Sequence, residues 1–398
     1  MKIVRDPIHG SIELDELALS LIDTPQMQRL RRIYQLGMSN LVYPGANHTR
    51  FEHSLGTYHL TCKLLEHIEY QHPQEIKTAA LLHDIGHGPF SHATEELLQH
   101  YNRNGHEEIY HILKQPEIRD IFEKYNLKPS SVIAHIKGNS TIGSILNSEI
   151  DIDRMDYLVR DAHYTGVAYG IIDLERLIHS LKFHEGRFVI VSGGLQAAES
   201  LLVSRFFMHP TVYFHHVSRI AETMLLRACQ YAISNNSLDP AGLQSMDDFG
   251  LENVLMNSGG YAAEMIKRIR ERRLFKRSLY ASPDSIDWNV VEQYQGNPQR
   301  LEWELCEQAH VPYGYILVDL PDMPEMAEMK AVIMFEGRMI TLDEASPIVR
   351  NLEQAQMENW RVGVYTLPEY REKVTKVARE FFQVKKDIRQ VNFSELLR

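Results

Sequence analysis

Cysteine is scarce in this chain: of 398 residues only Cys62, Cys229 and Cys306 carry a thiol, and no two form a CxxC pair. That excludes a disulfide framework and a cysteine-rich zinc motif, and it fits a reducing compartment. Uninterrupted apolar runs of about 18 residues, the length a membrane span needs, are lacking as well. The opening Met1-Lys2-Ile3-Val4-Arg5-Asp6-Pro7 has no apolar core of a signal peptide, so a cytoplasmic protein without a membrane partner is expected. Nor is there an excess of positive charge. With 42 Lys and Arg against 53 Asp and Glu, the net charge is −11. A surface built to track nucleic-acid phosphates needs a broad basic face, which leaves at most a local basic pocket here. No internal repeat or low-complexity tract stands out.

What is present is the composition of an ordinary folded protein, 44% hydrophobic and 24% charged. The length exceeds the size at which one core usually stops growing, so a larger unit over residues 1–280 and a smaller one over 281–398 are expected. From Leu17 to Arg277 apolar residues recur at three- and four-residue spacing, which predicts helices over Leu17–Ile22, Pro25–Tyr34, Leu55–Ile68, Ile76–Leu82, Thr94–Tyr101, Leu195–Cys229 and Tyr261–Arg273. Thr24 reads as a cap before Pro25 at the first helical position. A hairpin is expected near Arg187–Val191. Strands are expected at Tyr315–Val318, Ala331–Phe335 and Val362–Tyr365, with a closing helix over Lys373–Phe382. The fold class is therefore mainly α: a helical core with a short hairpin and a smaller α+β C-terminal region.

The chemistry concentrates at His83-Asp84, which ends an apolar helical run, with His53 thirty residues before it and Asp153 about seventy after. Burying an imidazole beside a carboxylate is costly unless a cation compensates it. Two imidazole nitrogens and two carboxylate oxygens suit Fe, Mn, Zn, Ni or Mg with coordination positions left open, as a hydrolase needs. His87, His92 and His106 stand near these residues in sequence and could move a proton or offset phosphate charge. Against this, a chain with 20 histidines will group some by chance.

Four stretches narrow the choice. They are Asp23-Thr24-Pro25-Gln26-Met27-Gln28-Arg29-Leu30-Arg31, Tyr43-Pro44-Gly45-Ala46-Asn47-His48-Thr49-Arg50-Phe51-Glu52-His53-Ser54-Leu55-Gly56, Leu82-His83-Asp84-Ile85-Gly86-His87-Gly88-Pro89-Phe90-Ser91-His92, and Asp151-Ile152-Asp153-Arg154-Met155-Asp156-Tyr157-Leu158-Val159-Arg160-Asp161. They resemble the HD-domain phosphohydrolases, and most of all the deoxynucleoside triphosphate triphosphohydrolase branch with its animal sterile-alpha-motif/HD members and prokaryotic relatives. The resemblance covers residues 2–280.

It implies an HD-domain core and a divalent transition metal, Fe, Mn, Zn or Ni, on His53, His83, Asp84 and Asp153, with additional Mg arriving on the nucleotide. It implies that His87, His92 and His106 line the reacting phosphate, oriented by Glu95 and Glu107, with His92 or His106 as proton donor to the leaving 5′ oxygen. Gln35 and Asp161 would read the sugar 3′-hydroxyl, Arg50, Arg154 and Arg205 would hold the triphosphate, and Tyr157 and Tyr213 would wall the ribose. The reaction implied is attack of metal-activated water on the α-phosphorus of a dNTP, giving deoxynucleoside and tripolyphosphate.

Lys2, Asp23, Gln28, Arg31, Arg272 and Lys276 match positions at which the animal members bind an activating guanine nucleotide, GTP or dGTP, between subunits. Asp23 could accept from guanine N1 and N2, and Arg31 and Lys2 could meet phosphates. A homo-oligomer, dimer or tetramer, follows from a site so shared. Basic positions of the family's second effector site fall on Val191 and Gly193 here, which implies simpler activation or none. Two other functions fit the same residues: an HD-type phosphodiesterase or nucleotidase on another nucleotide or single-stranded nucleic acid, and a noncatalytic nucleotide sensor. The basic run Lys267–Arg273 is compatible with nucleic acid as a partner but does not favour it.

Overall fold

The N-terminus folds as a hairpin that the sequence pattern does not announce. β1 (Lys2–Asp6) and β2 (Gly10–Leu14) pair antiparallel with Lys2 opposite Leu14, and Gly10 supplies the φ of 74° at the turn. Only Asp6 of β1 is buried, so that strand shows none of the inward alternation that marks a strand in sequence. The computed structural model describes residues 2–102, 105–148, 150–184, 187–322 and 331–384.

Helices α1 (Glu16–Ile22) and α2 (Pro25–Arg29) follow, capped by Asp15 and Thr24. The helix expected to reach Tyr34 passes at Leu30 into a single 3-10 turn, where Arg29 sends its guanidinium inward to the carbonyls of Ile85, His87 and Met246. Thr49 and Glu52 form a reciprocal cap on α3 (Arg50–Leu65), and Pro73 opens α4 (Pro73–Leu82), which ends at the His83-Asp84 pair. α5 (His92–Asn102) and the short α6 (Tyr110–Leu113), α7 (Pro116–Lys124) and α8 (Pro129–Ile136) lead to α9 (Ile152–Thr165). Asp151 caps α9 at its start, and Gly166, with φ of 77°, ends it. α3 packs against both α4 and α9, so the three segments that carry the candidate ligands share one core.

α10 (Leu174–Ser180) leads into the expected hairpin, β3 (Leu181–His184) with β4 (Arg187–Val191). The long helix predicted from Leu195 is instead two, α11 (Leu195–Met208) and α12 (His216–Ser234). Pro210 cannot donate a backbone hydrogen bond, and a π-type turn at His209–Tyr213 separates them. α13 (Asp248–Asn257) and α14 (Gly260–Arg270) pack on α12 around a second apolar core.

The C-terminal region holds β5 (Lys276–Ala281), α15 (Trp288–Tyr294), α16 (Pro298–Ala309), β6 (Ile316–Asp319), β7 (Val332–Phe335), β8 (Arg338–Thr341), α17 (Leu342–Ala345), α18 (Pro347–Asn359), β9 (Val362–Thr366) and α19 (Arg371–Phe381). Strands β5, β9 and β6 form one antiparallel sheet, while β7 runs parallel to β4, giving the order β3-β4-β7-β8. The division expected after residue 280 thus falls inside β5, and the later strands return to the earlier hairpin. The fold is the mainly helical core with a smaller α+β C-terminal region that the sequence predicts. Among the described residues no helix is long and apolar enough to cross a membrane.

Candidate active site

The end of α4 brings His83 and Asp84 against α3 and α9, and their donors meet those of His53 and Asp153. His53 Nε2 lies 3.2 Å from His83 Nε2 and 2.7 Å from Asp153 Oδ1, and His83 Nε2 lies 3.4 Å from both Asp84 Oδ1 and Asp153 Oδ1. Ligands each about 2.1 Å from one ion sit roughly 3 Å apart, and the donors of His53, His83 and Asp84 lie within 4.8 Å of one another, with Asp153 beside both histidines. Burial alone would depress the His53 imidazole, but Asp153 and Asp156 outweigh it and lift its pKa to about 10. Burial would raise Asp84, yet Arg50, His83 and His87 hold it well below the usual carboxylate range. A pocket that holds a proton this tightly also attracts a metal cation. The residues therefore fit a divalent ion.

A layer behind the ligands fixes them. His83 Nδ1 is 2.8 Å from the Ala80 carbonyl, so Nε2 is the nitrogen left facing the other donors. Asp156 takes His53 Nδ1 at 2.8 Å and, with Arg160, Asp6 and His9, fills the space between α9 and the N-terminal hairpin. Gly56 makes this possible, because a Cβ there would stand 1.9 Å from Asp156 Oδ1. None of these supporting roles was assigned from sequence. The available signal was periodicity, since Asp153, Asp156 and Arg160 recur along one face of α9.

Against the ligands lies a second group, joined to them where His87 Nε2 stands 3.3 Å from Asp84 Oδ1. His87 and His106 stack with ring centroids 4.0 Å apart, and Glu95 Oε1 is 3.1 Å from both His106 Nδ1 and its backbone N. Burial and the neighbouring Arg50 keep His87 well below the usual histidine range, so it is neutral at pH 7. Donors of His87, Glu95 and His106 fall within 4.8 Å of one another. Glu107 lines the cavity but bonds Asn147 rather than a histidine, so Glu95 is the acid that orients this group. His92 opens α5; its side chain lies outside the described residues.

Both groups face a cavity of about 500 Å³ that Gln35, Arg50, Arg154, Tyr157, Asp161, Arg205 and Tyr213 also line. The Tyr213 hydroxyl donates to Asp161 Oδ2 at 2.9 Å, and His48 holds the other carboxylate oxygen at 2.7 Å. The π-type turn is what carries Tyr213 to this point. Arg50, expected on the triphosphate, gives Nη1 to Asp84 at 2.6 Å and Nε to Ser91 at 2.5 Å, so two of its nitrogens serve the ligand side. Arg154 is ion-paired with Asp151, whose own pKa burial lifts to about 6. Arg219 and Glu222 line the cavity from α12, and Arg219 reaches Asp319 of β6, a tie to the C-terminal sheet that sequence reasoning missed.

The six expected effector residues lie elsewhere. Lys2, Asp23, Arg31, Arg272 and Lys276 are exposed and Gln28 is half-buried. Arg31 bonds Gln28 at 2.9 Å and sits over the Phe51 ring, whereas Arg272 reaches the Leu41 carbonyl.

The chain is similar to known proteins. Residues 50–161 match the HD domain and residues 172–393 the HD associated region. An uncharacterised protein of Methanocaldococcus jannaschii is 37% identical over 372 residues, 92% of this chain and 79% of that protein. The deoxynucleoside triphosphate triphosphohydrolase SAMHD1 of Homo sapiens is 29% identical across 76% of this chain, which spans 58% of the human enzyme's length. A phosphohydrolase structure from Bacteroides thetaiotaomicron superposes with a TM-score of 0.73 at 26% identity, over 92% of this chain and 99% of that one.

Proposed function

The chain belongs to the HD-domain phosphohydrolases that carry an HD-associated region, and from that premise we propose that it is a dNTP triphosphohydrolase. One observation carries the reading: a single cavity is shared by the ion-binding donors, the His87–His106 stack and the hydroxyl-bonded Asp161.

His53, His83, Asp84 and Asp153 would hold a divalent transition ion, Fe, Mn, Zn or Ni, which when bound polarises a phosphoryl oxygen and lowers the pKa of water. Arg154 and Arg205 offer positive charge to the phosphates. Asp161, with Gln35 beside the same cavity, accepts from the sugar 3′-hydroxyl, and the rings of Tyr157 and Tyr213, 6.1 Å apart, bound the ribose so that a 2′-hydroxyl meets carbon rather than a partner. His106, held by Glu95, supplies the proton to the leaving 5′ oxygen.

Activation by GTP or dGTP is part of the reading. Lys2, Asp23, Gln28, Arg31, Arg272 and Lys276 would be completed into one site by a second copy in a dimer or tetramer. Binding of single-stranded nucleic acid is disfavoured, since Arg268, Arg270 and Arg273 already pair with Glu264, Glu252 and Glu271. The three cysteines are free, which fits the cytoplasm.

The test is product analysis of the metal-loaded protein with each dNTP and NTP, with and without GTP or dGTP. Deoxynucleoside and tripolyphosphate, lost in His83→Ala/Asp84→Ala, support the reading. Equal rates with and without guanine nucleotide at a fixed oligomeric state remove the effector. Turnover only of monophosphates or nucleic acid replaces the substrate class.

A further inference from the structure

We infer that the N-terminal hairpin is part of the metal centre: Asp6, acting through Arg160 and Asp156, positions the His53 imidazole for its ion. The inference rests on reading His53 as a metal ligand.

The chain of contacts is continuous and buried. Asp156 Oδ2 takes His53 Nδ1 and Arg160 Nε, both at 2.8 Å, while its Oδ1 takes Arg160 Nη2 at 2.9 Å and His9 Nε2 at 2.5 Å. Arg160 then gives Nη1 to Asp6 Oδ2 at 2.8 Å. Asp6 Oδ1 accepts from the backbone of Ile8 and His9, so the carboxylate is tied to the turn between β1 and β2. Arg160 and Asp156 have no exposed surface and Asp6 only 5%.

Burying two carboxylates and a guanidinium adds little net stability compared with apolar packing, so stability alone does not account for the arrangement. Its geometric effect is definite. With four hydrogen bonds on its two oxygens, Asp156 cannot swing, and the His53 ring it holds must present Nε2 to His83 and Asp153. Asp6 fixes the other edge of the Arg160 guanidinium. Displacing the hairpin therefore loosens Arg160, then Asp156, then the ligand ring. Asp6, His9, Asp156 and Arg160 are positioning residues, since none of them faces the cavity.

The test is Mn²⁺ binding by titration calorimetry to the full chain and its variants. Asp6→Asn should weaken Mn²⁺ about ten-fold or more, the usual size of a supporting-layer loss. Asp6→Asn/Asp156→Asn should bind no more weakly than Asp156→Asn alone, because Asp6 acts only through Asp156. Ile12→Val, which thins the core under the hairpin without touching these charges, should leave affinity within two-fold. Wild-type affinity in Asp6→Asn, or losses that multiply in the double variant, would overturn the inference. If Asp6→Asn does not fold, His9→Gln is read by the same criterion, and wild-type affinity there overturns it. Equal Mn²⁺ binding by the wild type and His53→Ala removes the ligand reading itself, and the inference with it.

Discussion

The two sides of the cavity use the same residue type under opposite conditions. On one side His53 and His83 are buried among Asp84, Asp153 and Asp156, with every ring nitrogen fixed by a neighbour. On the other, His106 stacks on His87 with Glu95 as its acid, and its side chain is 35% exposed. His83 and His87 are four residues apart with the helix ending between them, and their Nε2 atoms stand 3.4 Å and 3.3 Å from the same Asp84 Oδ1, so the two groups meet at Asp84 and diverge from there. Holding an ion needs fixed charge that does not exchange with water. Moving a proton needs a group with access to it.

The sharpest way to separate the sides is to remove one histidine from each. His53→Ala should abolish turnover together with bound metal, read by elemental analysis of the dialysed protein. His106→Ala should lower kcat by about 10²–10⁴-fold while metal content stays at the wild-type level. Loss of metal in both would mean the sides are one unit.

Two glycines probe the supports rather than the side chains. A Cβ on Gly86 would stand 2.0 Å from the His106 carbonyl oxygen, whereas one on Gly56 would strike Asp156. Each substitution to Ala should destabilise by about 1–3 kcal/mol in urea unfolding. Gly86→Ala should then lower kcat with metal retained, and Gly56→Ala should weaken metal binding first.

The loop from His87 to His92 has its own pH dependence. Phe90 and Ser91 adopt φ of 51° and 34°, and Asp248 pins the Phe90 backbone N–H at 2.6 Å. Burial lifts the Asp248 carboxyl from 3.8 to about 7. The folded protein holds this proton more tightly than the unfolded chain, so stability falls as pH rises from about 4 to 7 and is then level, a few kcal/mol in all. Asp248→Asn should lack that slope, checked by melting both proteins at pH 5 and pH 8.

The smallest effect expected is that of Tyr213→Phe, which removes one hydrogen bond to Asp161 and should raise KM for the deoxynucleotide about five-fold, with kcat little changed.

What sequence could show follows from distance along the chain. His83 and Asp84 declare themselves as an imidazole beside a carboxylate at the end of an apolar run, whereas Tyr157 and Asp161 are named only through the family resemblance. His53 is found because its motif is local. Asp6 and Arg160 are 154 residues apart, and nothing in either segment marks their pairing. The π-type turn at His209–Tyr213 hides within an apolar run that reads as continuous helix, so Tyr213 could be named from resemblance while the backbone that delivers it to Asp161 could not. The outer strand of the N-terminal hairpin escaped for want of buried side chains. The effector residues remain the least legible, as exposed side chains take their meaning from what lies beyond one chain.

The parallel pairing of β4 with β7 has a consequence for synthesis. Ile190 finds its partner Ile333 only after about 140 further residues have been made. At a ribosomal pace of about 5–20 residues per second, β4 waits roughly 7–30 s with one edge open. Open edges recruit other strands, so the nascent chain passes through an interval of aggregation risk. The finished enzyme never shows it, and a chaperone that shields this edge would raise the yield of folded protein without altering the mature molecule.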